Sequence, residues 1–165
     1  MIDQLNHLIQ TLREELQQYG ELLARLDQQQ EFVMRRSSDE VLASVTALQE
    51  QAAVIREARV KREAAQRELA IKLSLPKGAG FAVIAPLLPA NHRMLVQALV
   101  DENNALLVRV QQRSRQNHVL LTRSLELMQS FINKLLPAGD ALVYTGRGSL
   151  AGRALGRRSR YQAVG

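Results

Sequence analysis

The fold class follows from IDQLNHLIQTLREELQQYGELLARLDQQQEFV, residues 2–33. Apolar residues recur here at alternating steps of three and four, the heptad spacing of a helix that packs lengthwise against another helix. Leu8 and Leu22 widen this stripe, which indicates contact with more than one neighbouring helix. We therefore predict a first helix over about residues 2–35. The ten seam positions, of which only Gln30 is polar, are Ile2, Leu5, Ile9, Leu12, Leu16, Tyr19, Leu23, Leu26, Gln30 and Val33.

A second helix is predicted over about residues 38–74, after a short turn. Ser37 and Glu40 stand three residues apart, as in a capping box whose side chains satisfy the first unpaired N–H groups of a helix. A short turn between two long helices makes them run antiparallel. The sequence thus predicts a helical hairpin.

The middle of the second helix's seam is polar, with Arg59 and Arg62 between apolar ends. Three interpretations are open. The arginine stems could lie along the edge of the bundle, or a buried polar layer could fix the register of the helices. Alternatively, the stretch is exposed and Ala58, Ala64 and Ala65 make the contact, which is the interpretation we favour.

Residues 75–90 interrupt the helical pattern. Three prolines and two glycines forbid a continuous helix here, yet residues 81–88 hold five large apolar side chains. We predict an apolar loop that packs over the end of the bundle, with a contact surface for a partner as the alternative. The apolar residues are Phe81, Val83, Ile84, Leu87 and Leu88.

A third helix is predicted over about residues 91–136, with Asn91 as its N-cap. At about 1.5 Å per residue it would be about 70 Å long, longer than the other two, so its C-terminal half needs cover from elsewhere. Pro137 and Gly139 end it. The resulting fold class is all-α, an antiparallel, coiled-coil-like bundle of three long helices over residues 1–136.

Residues 137–165 form a predicted flexible, basic C-terminal tail that could serve as a partner-binding segment. The tail holds five arginines and one aspartate, and so contributes +4 to the net charge of +6. Its tyrosines, Tyr144 and Tyr161, lie too far apart for a stacking platform, which argues against nucleic acid as a partner. The most apolar stretch, residues 81–88, is too short to span a bilayer, so we expect no stable membrane insertion.

No constellation of residues indicates catalysis or metal binding. The chain has no cysteine, which excludes disulfides and thiolate sites. His7, His92 and His118 do not have the close spacing of metal ligands. Ser74 and Lys77 match an S-x-x-K pattern without its supporting motifs. We therefore expect no enzyme, no cofactor and no metal. The N-terminus does not look like a secretory signal, so we expect a cytoplasmic location.

The order of several weaker features resembles the FlgN family of flagellar type III export chaperones over most of the chain. The leucine-rich first helix with Tyr19 and Leu22-Leu23 matches it, as does the short-turn hairpin with a charged end. The most telling stretch is DENNALLVRVQQRSRQNHVLLTRSLELM, residues 101–128. Pro137 and the step from Tyr144 to Gly148 resemble the end of the family's sequences.

The resemblance implies a cytosolic chaperone for hook–filament junction proteins, the hook-associated proteins of the flagellum. Such a chaperone holds the helical C-terminal part of an unassembled subunit and delivers it to the membrane export gate. By the same resemblance Tyr144 is implicated in docking on that gate. The partner-binding part falls on the end of the third helix and the tail, at Leu125, Met128, Phe131, Ile132, Leu135, Leu142, Leu150 and Leu155.

Two other functions remain open from the residues alone. The chain could be a structural coiled-coil oligomerisation protein that buries its third helix in a homodimer. It could also be a regulator that binds nucleic acid through the arginine-rich tail.

Overall fold

The computed structural model of the chain describes residues 1–135, 142–144 and 150–152. These residues form four α-helices: α1 (Ile2–Arg35), α2 (Ser38–Lys72), α3 (Phe81–Ile84) and α4 (Ala90–Leu135). A turn of 3-10 helix, Ala85–Leu87, follows α3. Two three-residue strands, β1 (Leu142–Tyr144) and β2 (Leu150–Gly152), pair antiparallel. The chain divides into two units, Met1–Leu121 and Thr122–Gly165.

Every regular element of Met1–Leu121 is helical, in agreement with the predicted all-α class. The finer prediction, an antiparallel bundle of three helices, is not confirmed because residues 81–84 form a fourth helix. The predicted flexible tail falls mostly outside the described residues. Its two described pieces are the strands β1 and β2.

The turn between α1 and α2 is built by backbone geometry. Arg36 adopts the left-handed conformation with φ 58°, and its N–H donates to the Val33 carbonyl while that of Ser37 donates to the Phe32 carbonyl, both at 3.1 Å. This is the Schellman arrangement, which satisfies the last carbonyls of a helix. Ser37 is the N-cap of α2 but makes no side-chain capping hydrogen bond. The predicted capping box is therefore wrong.

A second Schellman arrangement closes α2. Ser74 has φ 57°, and the N–H of Leu75 donates to the Ala70 carbonyl at 2.9 Å while that of Ser74 donates to Ile71 at 3.0 Å. Leu75 is partly buried against the main core cluster. Pro76 then prevents any return to helix.

The core lies where α1, α2, the 75–90 segment and the start of α4 meet. Leu5, Leu8 and Leu12 of α1 are almost fully buried there. Ile2, although on the predicted seam, is exposed, because the first turn of α1 lies at the edge of this cluster. The other members of the cluster are Ile9, Ala65, Leu69, Ala70, Ala79, Ile84, Leu88, Val96 and Leu99.

The apolar segment 75–90 contributes both to the core and to the surface. Ile84, Ala85 and Leu88 are buried, whereas Val83 and Leu87 are exposed. The alternation follows from one helical turn over Phe81–Ile84, which presents one side inward and the other to solvent. The segment predicted as an apolar loop therefore contains a short helix, α3, and a turn of 3-10 helix.

The polar middle of α2 combines two of the three interpretations. Ala58 and Ala65 are buried and make the apolar contact, as favoured above. Arg62, however, belongs to a buried polar layer: its Nε donates to Oε2 of the buried Glu15 at 2.9 Å. The expectation that the whole polar stretch is exposed is therefore wrong, because a buried carboxylate on α1 requires a cationic partner.

Tyr19 and Arg59 complete this layer. The Tyr19 hydroxyl donates to Oε1 of Glu15 at 3.2 Å and accepts from Nη2 of Arg59 at 2.7 Å. The hydrogen bond with Tyr19 raises the pKa of Arg59 above its ordinary value. Two helices are thus joined by a charged layer as well as by apolar packing.

The same layer extends to the 75–90 segment. Arg62 Nη1 donates to Gln66 Oε1 at 2.9 Å, and Gln66 Nε2 donates to the Ala79 carbonyl at 2.8 Å. The Arg62 guanidinium also lies 6.0 Å from the centre of the Phe81 ring, within range of a cation–π contact. The segment is therefore held by polar contacts besides its buried apolar residues.

The part of α4 that belongs to Met1–Leu121 runs parallel to α1. Asn103 donates from Nδ2 to the Leu12 carbonyl at 3.1 Å, and Asn117 donates in the same way to the Leu26 carbonyl at 2.7 Å. Helix α4 begins at Ala90, so Asn91 lies within its first turn. The prediction that Asn91 is the N-cap is wrong.

Candidate partner-binding surface

The C-terminal part of α4 carries large apolar side chains that are exposed to solvent. Leu125, Leu127, Met128, Phe131 and Ile132 are between 45% and 70% exposed. They lie within eight consecutive residues of one helix. Monomeric soluble proteins seldom expose a contiguous apolar patch of this kind unless it binds something. We call these five residues the α4 face.

The spacing of these residues places them on one side of the helix. At 3.6 residues per turn, positions three and four apart fall on the same side, which joins Leu125 to Met128, Met128 to Ile132, and Leu127 to Phe131. Ser124 is the one polar residue of this stretch on the apolar side, and the other polar residues fall on the opposite side. These are Thr122, Arg123, Glu126, Gln129, Ser130, Asn133 and Lys134. Residues 122–134 therefore form an amphipathic helix whose apolar side is open to solvent.

The structure brings only some of the predicted site residues together on one surface. Leu125, Met128, Phe131 and Ile132 share the α4 face. Leu135 is the last residue of α4, but its side chain lies outside the described part of the chain. The remaining predicted positions are on the C-terminal segment.

On that segment the backbone pairing is described but the side chains are not. Leu142 stands opposite Gly152, and Tyr144 stands opposite Leu150. Leu150 and Tyr144, the predicted docking residue, are thus brought together as strand partners. Leu155 lies outside the described residues.

Leu127 was not among the residues predicted from the sequence. It is 70% exposed and precedes Phe131 by four residues, so the spacing that selected Phe131 also selects Leu127. The heptad seam by itself passes through Leu125, Met128 and Ile132. The face is broader than a single seam.

A depression in the surface of Met1–Leu121 lies between residues 82–86 and the start of α4. Its lining includes one cation, Arg93, and one carboxylate, Asp101. Arg93 Nη2 donates to the Pro86 and Leu88 carbonyls at 2.7 and 3.2 Å, and Asp101 accepts a bond from Gln97 at 3.0 Å. Both charged groups are therefore already hydrogen-bonded within the chain, and the depression offers no acid–base pair for chemistry.

The described residues also lack two other kinds of site. No group of three or more His, Cys, Asp or Glu side chains among them could hold a metal ion. None of their helices has the length and apolar content needed to cross a bilayer. Among the described residues, the α4 face is an exposed apolar patch whose chemistry suits a binding surface.

A helical bundle with an open amphipathic helix is an arrangement typical of the class of helical proteins that bind another protein segment. Within that class, the family model for the FlgN protein matches residues 1–152, and the chain belongs to the FlgN family. This is a family of flagellar export chaperones and not of enzymes, and membership implies binding of flagellar hook-associated proteins. No individual curated protein and no solved structure matches the chain.

Proposed function

We propose that this chain is a cytosolic chaperone that binds the helical C-terminal part of unassembled hook–filament junction proteins and delivers them to the flagellar export gate. The observation that carries the proposal is the α4 face, five exposed apolar residues on one side of a helix. Family membership supplies the export role.

The chemistry of the α4 face suits a partner that is itself an amphipathic helix. Such a helix would lay its apolar side on Leu125, Met128 and Ile132, as in other helix-in-groove complexes. Each apolar side chain that becomes fully buried contributes about 1.5–3 kcal/mol. Four or five of them are enough for roughly micromolar affinity after the entropy of association is subtracted. The same coverage would keep the partner from polymerising early.

Delivery to the gate is assigned to the C-terminal segment. Tyr144, on β1, lies apart in sequence from the α4 face. A gate contact at Tyr144 would leave the α4 face free to hold the client while the chaperone docks. Leu135, at the end of α4, and Leu142, Leu150 and Leu155, on the C-terminal segment, remain proposed client contacts.

The test is capture of purified junction proteins by the full-length chain. We expect wild-type protein to bind the C-terminal fragment of at least one of them, and Leu125→Glu to weaken binding at least about tenfold by placing a charge in an apolar contact. The matched control is Leu42→Glu on α2, because Leu42 is 68% exposed and Leu125 is 66% exposed. Wild-type protein that captures no junction protein would show the proposal to be wrong.

The gate role needs a separate measurement. Tyr144→Ala should leave client capture unchanged and reduce binding to the cytosolic part of the export gate. Equal loss of both activities would contradict a separate docking residue.

A further inference from the structure

The outer side of α2 carries a short sequence repeat. Residues 53–61 read AVIREARVK and residues 64–72 read AAQRELAIK. Both stretches have, at the same positions, an alanine, an Arg-Glu pair, a valine or isoleucine, and a lysine. We call them repeat 1 and repeat 2. They start 11 residues apart, a spacing of about 3.67 residues per helical turn, so the shared residues lie on the same side of α2.

The shared positions are those that the fold leaves open to solvent. Arg56 and Val60 of repeat 1 are exposed, and so are their counterparts Arg67 and Ile71 in repeat 2. The buried positions, in contrast, hold different residue types in the two repeats. The buried residues are Ile55 and Ala58 in repeat 1 and Ala65, Leu69 and Ala70 in repeat 2. Core packing therefore does not account for the repeat.

The shared residues include a stripe that suits a second helix. Its members follow one another at steps of three or four, which keeps them on one side of α2 over about 27 Å. Val60 is 61% exposed and Ile71 is 54% exposed, so apolar surface is available in both repeats. We call this stripe the α2 face, and it consists of Ala53, Arg56, Val60, Ala64, Arg67 and Ile71.

The two arginines of the α2 face form no ion pair among the residues that the structure describes. Arg67 donates to the Glu63 carbonyl of its own helix at 3.2 Å, while the Glu63 carboxylate lies 3.6 Å from Arg62. The lysine of each repeat follows its glutamate by four residues, the spacing at which opposite charges compensate along a helix. The charge left without a partner is therefore that of Arg56 and Arg67, and a guanidinium pairs best with a carboxylate.

The α2 face does not suit nucleic acid. Each arginine is followed directly by a carboxylate, Glu57 in repeat 1 and Glu68 in repeat 2, and these would repel a phosphate backbone. Aliphatic side chains also separate the two arginines, and a phosphate backbone offers them no apolar contact. A protein helix that is apolar and acidic on the same side matches both properties of the face.

We propose that the α2 face binds an acidic amphipathic helix of a partner protein. Aliphatic side chains of that helix cover Val60 and Ile71, and two carboxylates about 16 Å apart meet Arg56 and Arg67. The α2 face lies within Met1–Leu121, whereas the α4 face lies within Thr122–Gly165. This partner is therefore additional to the client and the gate of the proposed function.

A designed peptide tests the charge contact. The probe is a labelled helical peptide of about 22 residues, with leucines on one side and two glutamates on that side at the repeat spacing. A second peptide has lysines in place of these glutamates. In fluorescence anisotropy with the full chain, the double variant Arg56→Glu, Arg67→Glu should bind the glutamate peptide at least about tenfold more weakly than wild type and should bind the lysine peptide instead.

The matched control for charge is the double variant Arg13→Glu, Arg25→Glu. Both of these arginines are exposed on α1, so the change in net charge is the same but the α2 face is intact. This control should bind the glutamate peptide like wild type. No binding of the glutamate peptide by wild type, or an equal loss in both double variants, would overturn the proposal.

The apolar contact has its own pair of variants. Val60→Ser should weaken binding of the glutamate peptide by about threefold or more, whereas Val108→Ser, at a 51% exposed valine of α4, should leave it unchanged. Leu125→Glu should also leave it unchanged. Equal binding by the two valine variants would contradict an apolar contact on α2, and loss of binding in the Leu125 variant would place the peptide on the α4 face instead.

Two further measurements identify other occupants. Binding of a DNA or RNA duplex that the Arg56→Glu, Arg67→Glu variant loses would assign the α2 face to nucleic acid. Self-association of the chain in sedimentation velocity that the same variant loses would assign it to a second copy. Either result would overturn the proposal of an acidic partner helix.

Discussion

Asn117 of α4 donates a 2.7 Å hydrogen bond from its Nδ2 to the backbone carbonyl of Leu26 of α1. Asn103 repeats this contact with Leu12 two heptads earlier. Both asparagines are buried. Asn117 Nδ2 also donates to Gln29 Oε1 at 3.1 Å, and Gln29 Nε2 donates to Ser44 Oγ of α2 at 3.1 Å. The three long helices are therefore joined at this level by a chain of amide and hydroxyl groups.

We expect Asn117→Ala to lower the free energy of unfolding by about 1–3 kcal/mol. The substitution removes two buried hydrogen bonds, one to the Leu26 carbonyl and one to Gln29 Oε1. Urea unfolding followed by circular dichroism measures this change. Asn104→Ala, at an exposed position of the same helix, is the control and should change stability by less than about 0.5 kcal/mol. Equal stability of the two variants would contradict a role for the polar chain.

The buried ion pair between Glu15 and Arg62 makes a second prediction. Arg62→Ala should destabilise the protein by about 3 kcal/mol, since Glu15 would keep the more distant Arg59, at 3.8 Å, as its cation. Arg67→Ala is the matched control, because Arg67 is exposed and donates to the Glu63 carbonyl of its own helix.

Glu15→Gln and Arg62→Met, made singly and together, check the same pair by a mutant cycle. The double variant should be more stable than Arg62→Met alone, because it leaves no buried carboxylate without its closer cation. A double variant that loses the sum of the single effects would show that the two residues act independently.

Ser74, whose backbone adopts the left-handed conformation, is a position where we expect a substitution to increase stability. A non-glycine residue at φ 57° is strained by its Cβ, so Ser74→Gly should raise the free energy of unfolding by up to about 1 kcal/mol. Ser114→Gly, on an exposed position inside α4, should act in the opposite direction by about 0.5–1 kcal/mol. Thermal melts of both variants provide the comparison, and the same sign for both would refute the backbone argument.

The short helix α3 can be tested as part of the core. Ile84 is fully buried in the main cluster, so Ile84→Ala should cost about 2–5 kcal/mol. Leu87→Ala, three residues later and 52% exposed, should cost far less. If both substitutions had equally small effects on urea unfolding, the segment would not contribute to the core.

The partner-binding surface is predictable from the sequence only in part. The amphipathic pattern of residues 122–134 is local, and residue spacing alone places Leu125, Met128, Phe131 and Ile132 on one side of a helix. That these side chains are exposed depends on what the rest of the chain covers. The heptad pattern cannot tell a buried seam from an open one, because both require the same apolar spacing.

The sequence alone determined the helical class and the hairpin, because these depend on spacing within a segment: the repeat in residues 2–33, the break after Arg35, and Pro76. The family followed from a resemblance over most of the chain, which the family model confirms. Only the tertiary structure decided that Glu15 is buried against Arg62, 47 residues away, and that Asn117 bonds to Leu26, 91 residues away. The physical reason is that the cost of burying a polar group depends on the partner that meets it. That partner lies on another helix, and no pattern within a single helix identifies it.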